Sequence, residues 1–173
     1  GAGLVRFVNE NATMPVVSGG FGVCHTYVDS TADLEKAVRI VYNAKVRRPT
    51  ICNALDTLLV HRDIAPAFLP RMAAEWSKAG VELRCDERAI EIVGGMTGVQ
   101  AVPAQPADFG TEFLALVAAV RVVDSQDEAE AHIAEHGSGH SEAIVTEDYS
   151  AAQRFLRNVD AAAVYVNAST QFT

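Results

Sequence analysis

The sequence predicts an α/β fold built on a largely parallel sheet, in a single domain that spans residues 1–173. Two observations predict this class. Short runs rich in β-branched and aromatic residues recur along the chain, and several of them are separated by stretches with helical periodicity. The 173 residues, 49% of them hydrophobic, are also enough to bury one substantial core.

Strands are expected where these runs lie between polar or glycine-containing segments. They occupy residues 23–28, 57–61, 81–84, 99–103, 118–123, 143–146 and 163–167. Glycines and two prolines in the region 94–110 favour a strand flanked by loops there, rather than a helix.

The helices are indicated by capping residues and apolar periodicity. Ser30 and Asp33 have capping-box spacing before a helix that should reach about Lys45. A second helix should begin after Asp63 and stop at Gly80.

Two further helices are expected in the second half of the chain. Ser125 and Glu128 repeat the capping-box spacing, and Gly137 offers a stop for the helix that follows. The last helix should span residues 148–159.

Composition argues against several classes of partner. The formal net charge of −8 provides no basic stripe for phosphates, so a nucleic-acid surface is not expected. Apolar runs are interrupted well before the roughly 18 residues of a membrane span. The three cysteines, Cys24, Cys52 and Cys85, are widely spaced, which favours a reducing cytosol over a disulfide framework or a zinc site.

Glycine-rich turns that cradle a dinucleotide usually join a strand to the following helix. The candidates here, at residues 19–22 and 137–139, each precede a strand. The chain is therefore expected to lack most of a dinucleotide site of its own.

Cys52 lies between the first predicted helix and the next strand, after Arg47, Arg48 and Pro49. Two nearby arginines would favour the nucleophilic thiolate. This pattern alone leaves a second interpretation open, because an intracellular cysteine is often a small buried hydrophobe.

The sequence segments around Cys52 favour the reactive thiol over the buried hydrophobe. Residues 22–29 (GVCHTYVD), residues 43–60 with the run RPTICNALDTLLV, and residues 164–170 (VYVNAST) resemble γ-glutamyl phosphate reductase, a branch of the aldehyde dehydrogenase superfamily. The resemblance extends over essentially the whole chain. It implies a three-layer α/β/α catalytic domain whose dinucleotide-binding partner domain lies largely outside residues 1–173.

The resemblance implies that Cys52 is the nucleophile. Its thiolate would attack γ-glutamyl phosphate and form a thioacyl enzyme, which NADPH would reduce to glutamate-5-semialdehyde for proline biosynthesis. It also implies a cytoplasmic protein that forms a homo-oligomer and associates with glutamate 5-kinase. No metal is implied.

Aldehyde-oxidising relatives carry a glutamate two residues before a Gly-Gly pair, and this glutamate activates water. Aligning Gly19 and Gly20 with that pair places Val17 at the glutamate position, which favours a reductase over an aldehyde dehydrogenase that oxidises a semialdehyde. A non-catalytic α/β module is a third interpretation, because the cofactor cradle is missing.

Further roles follow from the resemblance alone. Glu112 would hold the nicotinamide ribose of the cofactor, although an ordinary solvated glutamate remains an equal alternative. Asn167, Ser169 and Thr170 would bind the far end of the substrate. Gln171 stands where many members have an arginine, so the partner of the substrate carboxylate stays open.

The histidines are expected to be structural. His25 should be packed or hydrogen-bonded within a strand, and His132 and His136 should lie on a helix surface rather than bind a metal. His140 lies in a segment that the resemblance places beside the active-site cleft, but a loop histidine that caps local backbone is favoured.

Overall fold

The computed structural model describes residues 2–17 and 20–172 of the chain. In this part, seven strands form one all-parallel sheet in the order β4-β3-β5-β2-β1-β6-β7. The strands are β1 (Cys24–Val28), β2 (Leu55–His61), β3 (Glu82–Cys85), β4 (Gln100–Pro103), β5 (Val117–Val123), β6 (Ser141–Val145) and β7 (Ala163–Val166). The predicted α/β class and each predicted strand are confirmed.

Six α-helices accompany the sheet in the described part of the chain. They are α1 (Ala2–Asn11), α2 (Leu34–Val46), α3 (Ala65–Lys78), α4 (Glu87–Val93), α5 (Gln126–His136) and α6 (Tyr149–Asn158). The four predicted helices correspond to α2, α3, α5 and α6, whereas α1 and α4 are not among the predicted elements. A 3-10 turn, Pro106–Gly110, follows β4.

The caps explain two differences in detail. Asp33, not Ser30, is the N-cap of α2, because its carboxylate accepts the Lys36 N–H at 2.7 Å. Helix α4 has the same device, since Asp86 accepts the Ala89 N–H at 2.7 Å. At α5 the predicted cap is confirmed, with Ser125 Oγ accepting the Glu128 N–H at 3.2 Å.

Helices cover both faces of the sheet, so the expected three layers are present. Successive residues of a strand point to opposite faces. In β2, Leu58 and Val60 belong to the larger apolar cluster, which contains residues of α2, α3 and α4. Leu59 lies between them and belongs to the second cluster, with Ile133 of α5 and Phe155 of α6.

The N-terminal ends of the parallel strands bring together segments that are far apart in sequence. Gly22 lies two residues before β1, Cys52 lies in the turn before β2, and His140 immediately precedes β6. The central order β2-β1-β6 makes these three strands neighbours, so the residues that lead into them meet at one edge.

Candidate active site

Cys52 is the accessible thiol of the chain. It is exposed, whereas Cys24 and Cys85 are buried. Burial raises the pKa of Cys24 far above the ordinary thiol value and raises the pKa of Cys85 to about 12. Those two groups remain protonated thiols at neutral pH, so Cys52 is the cysteine that can act as a nucleophile.

The Cys52 turn sits directly on Gly22. A Cβ atom at Gly22 would lie 1.8 Å from the Cys52 carbonyl oxygen, which leaves no room for any side chain at that position. The same carbonyl oxygen accepts a hydrogen bond from the Cys24 thiol, with Sγ 3.4 Å away. Glycine at position 22 is therefore required for the close approach of the two segments.

His140 faces the thiol. Its Nε2 lies 3.3 Å from Cys52 Sγ, so the preference for a histidine that caps local backbone is wrong. Gly22 lies between the two segments, and a Cβ there would come within 3.0 Å of the His140 ring. Because glycine has no side chain, the Cys52 thiol and the His140 ring, which lie in the segments before β2 and β6, can come into contact.

Hydrogen bonds at Ser138, Gly139 and His140 anchor the loop that carries the His140 ring. Ser138 Oγ accepts the Val23 N–H at 2.9 Å, which ties the loop to the start of β1. The Gly139 carbonyl accepts the Ala162 N–H at 2.9 Å, and the His140 carbonyl accepts the Ala163 N–H at 3.1 Å. These bonds fix the backbone from which the imidazole projects.

Glu112 also reaches this edge. Its Oε1 accepts the Gly22 N–H at 2.9 Å, so the carboxylate contributes to holding the glycine against the Cys52 turn. The role of Glu112 at a nicotinamide ribose stays a prediction. Glu112 is half-buried and bonded to Gly22, so it is not a freely solvated side chain.

A buried ion pair lies behind the thiol. Lys45 Nζ is 3.7 Å from Asp56 Oδ1 and donates to the Leu55 carbonyl at 2.7 Å. Asp56 in turn accepts the Phe113 N–H at 3.1 Å and the Cys24 N–H at 3.4 Å. Burial lowers the pKa of Lys45 to about 8 and raises the pKa of Asp56 to about 6.

The three predicted substrate residues have partners within the protein. Both ends of the Asn167 amide bond the Thr146 backbone, at 2.9 and 3.0 Å, and Ser169 Oγ accepts the Gln171 N–H at 3.2 Å. Thr170 Oγ1 donates to the Asn53 carbonyl at 2.8 Å, which places Thr170 directly behind the Cys52 turn. Their role in substrate binding stays a prediction.

Gln171, in the position where many family members are expected to have arginine, has a structural role. Its side-chain amide donates to the Ala44 carbonyl at 2.8 Å and to the Arg48 carbonyl at 3.3 Å. These bonds hold the end of α2 next to the Cys52 turn. Arg47 and Arg48 themselves are exposed.

Of the other histidines for which the sequence made a prediction, His25 confirms it and His132 contradicts it, while His136 is half-buried at the end of α5. His25 is fully buried and its Nδ1 lies 3.1 Å from a Glu142 oxygen, as a packed, hydrogen-bonded histidine should. His132 is also buried, not on the helix surface, and burial lowers its pKa to about 2. Its ring packs against His25 and Phe109. Within residues 2–17 and 20–172, no set of three or more ligating side chains is placed to hold a metal.

Val17, which the predicted alignment places at the glutamate position of aldehyde-oxidising relatives, is fully exposed and has no carboxylate. Gly19, the first glycine of the predicted pair, lies outside the described residues. The helices described in the structure are all too short or too polar to cross a membrane.

Comparison with known proteins places this geometry in a family context. No family model matches the chain. A γ-glutamyl phosphate reductase from Dehalococcoides mccartyi is 63% identical over 173 residues, which are 100% of this chain and 41% of that relative. A reductase of the same name from Persephonella marina is 54% identical over 176 residues, covering 100% of this chain and 40% of the relative.

Solved structures agree. The crystal structure of γ-glutamyl phosphate reductase from Thermotoga maritima matches with a TM-score of 0.93 and 51% identity, over 100% of this chain and 41% of that one. An acetylating aldehyde dehydrogenase from Geobacillus thermoglucosidasius shares the fold, with a TM-score of 0.73 at 22% identity over 99% of this chain and 45% of that one. The chain thus spans about two fifths of the length of the curated relatives it matches.

Proposed function

Over its whole length this chain belongs to the γ-glutamyl phosphate reductase family, and we propose that it is the thiol-bearing segment of an NADPH-dependent reductase. The reaction is the reduction of γ-glutamyl phosphate to glutamate-5-semialdehyde in proline biosynthesis. The observation that carries the proposal is the exposed Cys52 thiol, held where the segments before β1, β2 and β6 meet.

The thiol chemistry follows from the position of Cys52. Its Sγ attacks the acyl carbon, a C–S bond forms, and the C–O bond to phosphate breaks. Phosphate leaves with the electron pair of that bond and takes up a proton from water. The oxyanion that develops on the carbonyl oxygen needs a preorganised donor, and we assign this role to the backbone N–H of Cys52.

The acyl carbon needs a hydride, which a nicotinamide cofactor would supply, and we assign Glu112 as the residue of this chain that would hold that cofactor. The half-buried Glu112 carboxylate lies beside the Cys52 turn through its bond to Gly22, which suits contact with a ribose hydroxyl. The described glycines at 20, 22, 137 and 139 all precede strands, so they form no phosphate-binding turn at the N-terminus of a helix. We assign most of the dinucleotide site to chain outside residues 1–173.

Release of the acyl group favours a reductase over an aldehyde-oxidising enzyme. Water-driven deacylation needs a general base, and exposed Val17 cannot serve as one. Phosphate is already a nucleophile, so it can accept the acyl group in the reverse reaction without such a base. The reversible reaction therefore links an acyl phosphate with an aldehyde.

The decisive experiment measures phosphate-dependent oxidation of glutamate-5-semialdehyde by a full-length reductase that contains this segment, with reduction of NADP as the readout. Cys52→Ala should lower turnover on the order of 10³-fold or more. Thr50→Ala, an exposed position on the same connection, should leave it unchanged. Turnover that persists in Cys52→Ala would eliminate Cys52 as the nucleophile, and oxidation that needs no phosphate would favour the aldehyde dehydrogenase.

The same proposal includes a cytoplasmic location, a homo-oligomer and association with glutamate 5-kinase. Analytical ultracentrifugation of the full-length enzyme tests the oligomer, and addition of the kinase tests the association. A monomer that does not change its sedimentation with the kinase would remove both partners from the proposal.

A further inference from the structure

We propose that His140 is a catalytic residue of this site: its Nε2 takes the proton of the Cys52 thiol as Sγ attacks and returns that proton when Sγ is released. The inference deepens the proposed function, because it assigns the proton acceptor of the reaction that begins at Cys52. It stands on the contact between two side chains that are 88 residues apart in sequence.

The geometry suits a proton transfer. His140 Nε2 and Cys52 Sγ are 3.3 Å apart, within hydrogen-bonding reach for sulfur, and both groups lie at the surface of the site. The backbone that carries the imidazole is held at Gly139 and His140 by hydrogen bonds from residues 162 and 163, so the ring projects from a fixed position. A general base must reach the proton it abstracts, and His140 already does so in this structure.

Neighbouring charged groups are engaged elsewhere. On the segments packed around the pair, Glu112 accepts the Gly22 N–H, Asp56 is paired with Lys45, and Glu142 accepts from His25. Cys24, the neighbouring thiol, donates to the Cys52 carbonyl oxygen rather than to its sulfur. In the described part of the chain, His140 is thus the titratable side chain in contact with Sγ.

Protons and electrons balance over one turnover. In the first step the S–H proton moves to Nε2, the S–C bond forms, and phosphate departs with the C–O electron pair. Once the acyl carbon has been reduced by the hydride that a nicotinamide cofactor would supply, the C–S bond breaks and its electron pair returns to Sγ. The proton held on Nε2 then returns to sulfur, so His140 and Cys52 end in their starting forms.

The test is the alkylation rate of Cys52 by iodoacetamide in the full-length enzyme, followed by peptide mass spectrometry between about pH 6 and pH 10. His140→Ala should slow alkylation near pH 7 on the order of 10²-fold, and added imidazole should restore part of the rate. The difference should vanish at high pH, where a thiol ionises without help. His61→Gln, at the far end of β2, is the matched control and should match the wild type.

The outcomes separate this inference from the proposed function. Equal alkylation rates in the wild type and His140→Ala across the pH range, without an imidazole effect, would overturn the role of His140 even if Cys52→Ala is inactive. An active Cys52→Ala enzyme would instead overturn the proposed function. Labelling of buried Cys24 and Cys85 reports any unfolding of His140→Ala, and His140→Gln, which keeps most of the side-chain volume, is then used for the comparison.

Discussion

Replacing Gly22 by alanine should inactivate the site although the change adds only one methyl group. The new Cβ would lie 1.8 Å from the Cys52 carbonyl oxygen and 2.8 Å from its carbonyl carbon. Ordinary contact begins at 3.4 Å, so the oxygen must withdraw by about 1.6 Å. The obstacle is backbone on both sides, and no side-chain rotation relieves it.

This displacement should reach the reacting atoms. Moving the Cys52 turn changes the 3.3 Å contact between Sγ and His140 Nε2, and it disturbs the 2.9 Å bond from the Gly22 N–H to Glu112. Misplacement of a reacting group by about 1 Å costs on the order of 10²-fold in rate. The overpacking itself should cost about 1–3 kcal/mol of folding stability.

The assay is turnover of the full-length enzyme together with Cys52 alkylation, and denaturant unfolding measures the stability term. Gly95→Ala is the control, because a Cβ at this exposed glycine meets nothing within 4 Å. We expect Gly22→Ala to fall on the order of 10²-fold in both rates while Gly95→Ala stays at the wild-type level. A Gly22→Ala enzyme with wild-type turnover would refute the placement of the Cys52 turn on Gly22.

Three further predictions concern the supports of the site. Asp56→Asn leaves Lys45 buried without a counter-charge and should lower the free energy of unfolding, measured with denaturant, by about 3–5 kcal/mol. Asp63→Asn, at an exposed position, is the control and should leave the stability unchanged. Equal stabilities of the two variants would contradict the buried ion pair. The folded-state pKa of Lys45, about 8, lies below its ordinary 10.5, so the unfolded chain binds more protons between these values. The free energy of unfolding of the wild type should therefore increase relative to that of Lys45→Met as the pH rises from about 8 to about 10.5. A difference in unfolding free energy that stays constant over this range would show that Lys45 does not titrate there. Thr170→Val removes the bond to the Asn53 carbonyl and should cost about 1 kcal/mol and slow turnover, and full retention of both would mean that Thr170 does not support the Cys52 turn.

Local patterns predicted the elements well because the forces that shape them act over a few residues. The α5 cap depends on Ser125 and the residue three positions later, and the strands depend on runs of β-branched residues. The misplaced cap of α2 fits the same rule, since Asp33 and Ser30 are both good capping residues and the helix begins directly after Asp33, whose backbone is extended. Helix α4 was missed although Asp86 carries a capping signal, because seven residues give little periodicity.

The environment of each polar side chain could not be predicted in this way. His132 occupies a helix position that suits either water or the core, and it is buried because the segment bearing Phe109 and the strand bearing His25 both pack on that face. The Asn167 amide bonds the Thr146 backbone just after another strand, and Thr170 bonds the Asn53 carbonyl in a remote part of the chain. Burial and partner choice are decided by elements that are remote in sequence.

For this protein, the sequence by itself determined the α/β class, the positions of the strands, and the segment around Cys52 that marks the reductase family. Only the tertiary structure decided that Cys52 meets His140 and that Gly22 must be bare to allow it. The physical reason is the strand order β2-β1-β6, which makes neighbours of three segments spread over more than 100 residues. Hydrogen bonds and steric contacts act over a few ångströms, so these contacts arise only after long-range strand pairing has been set.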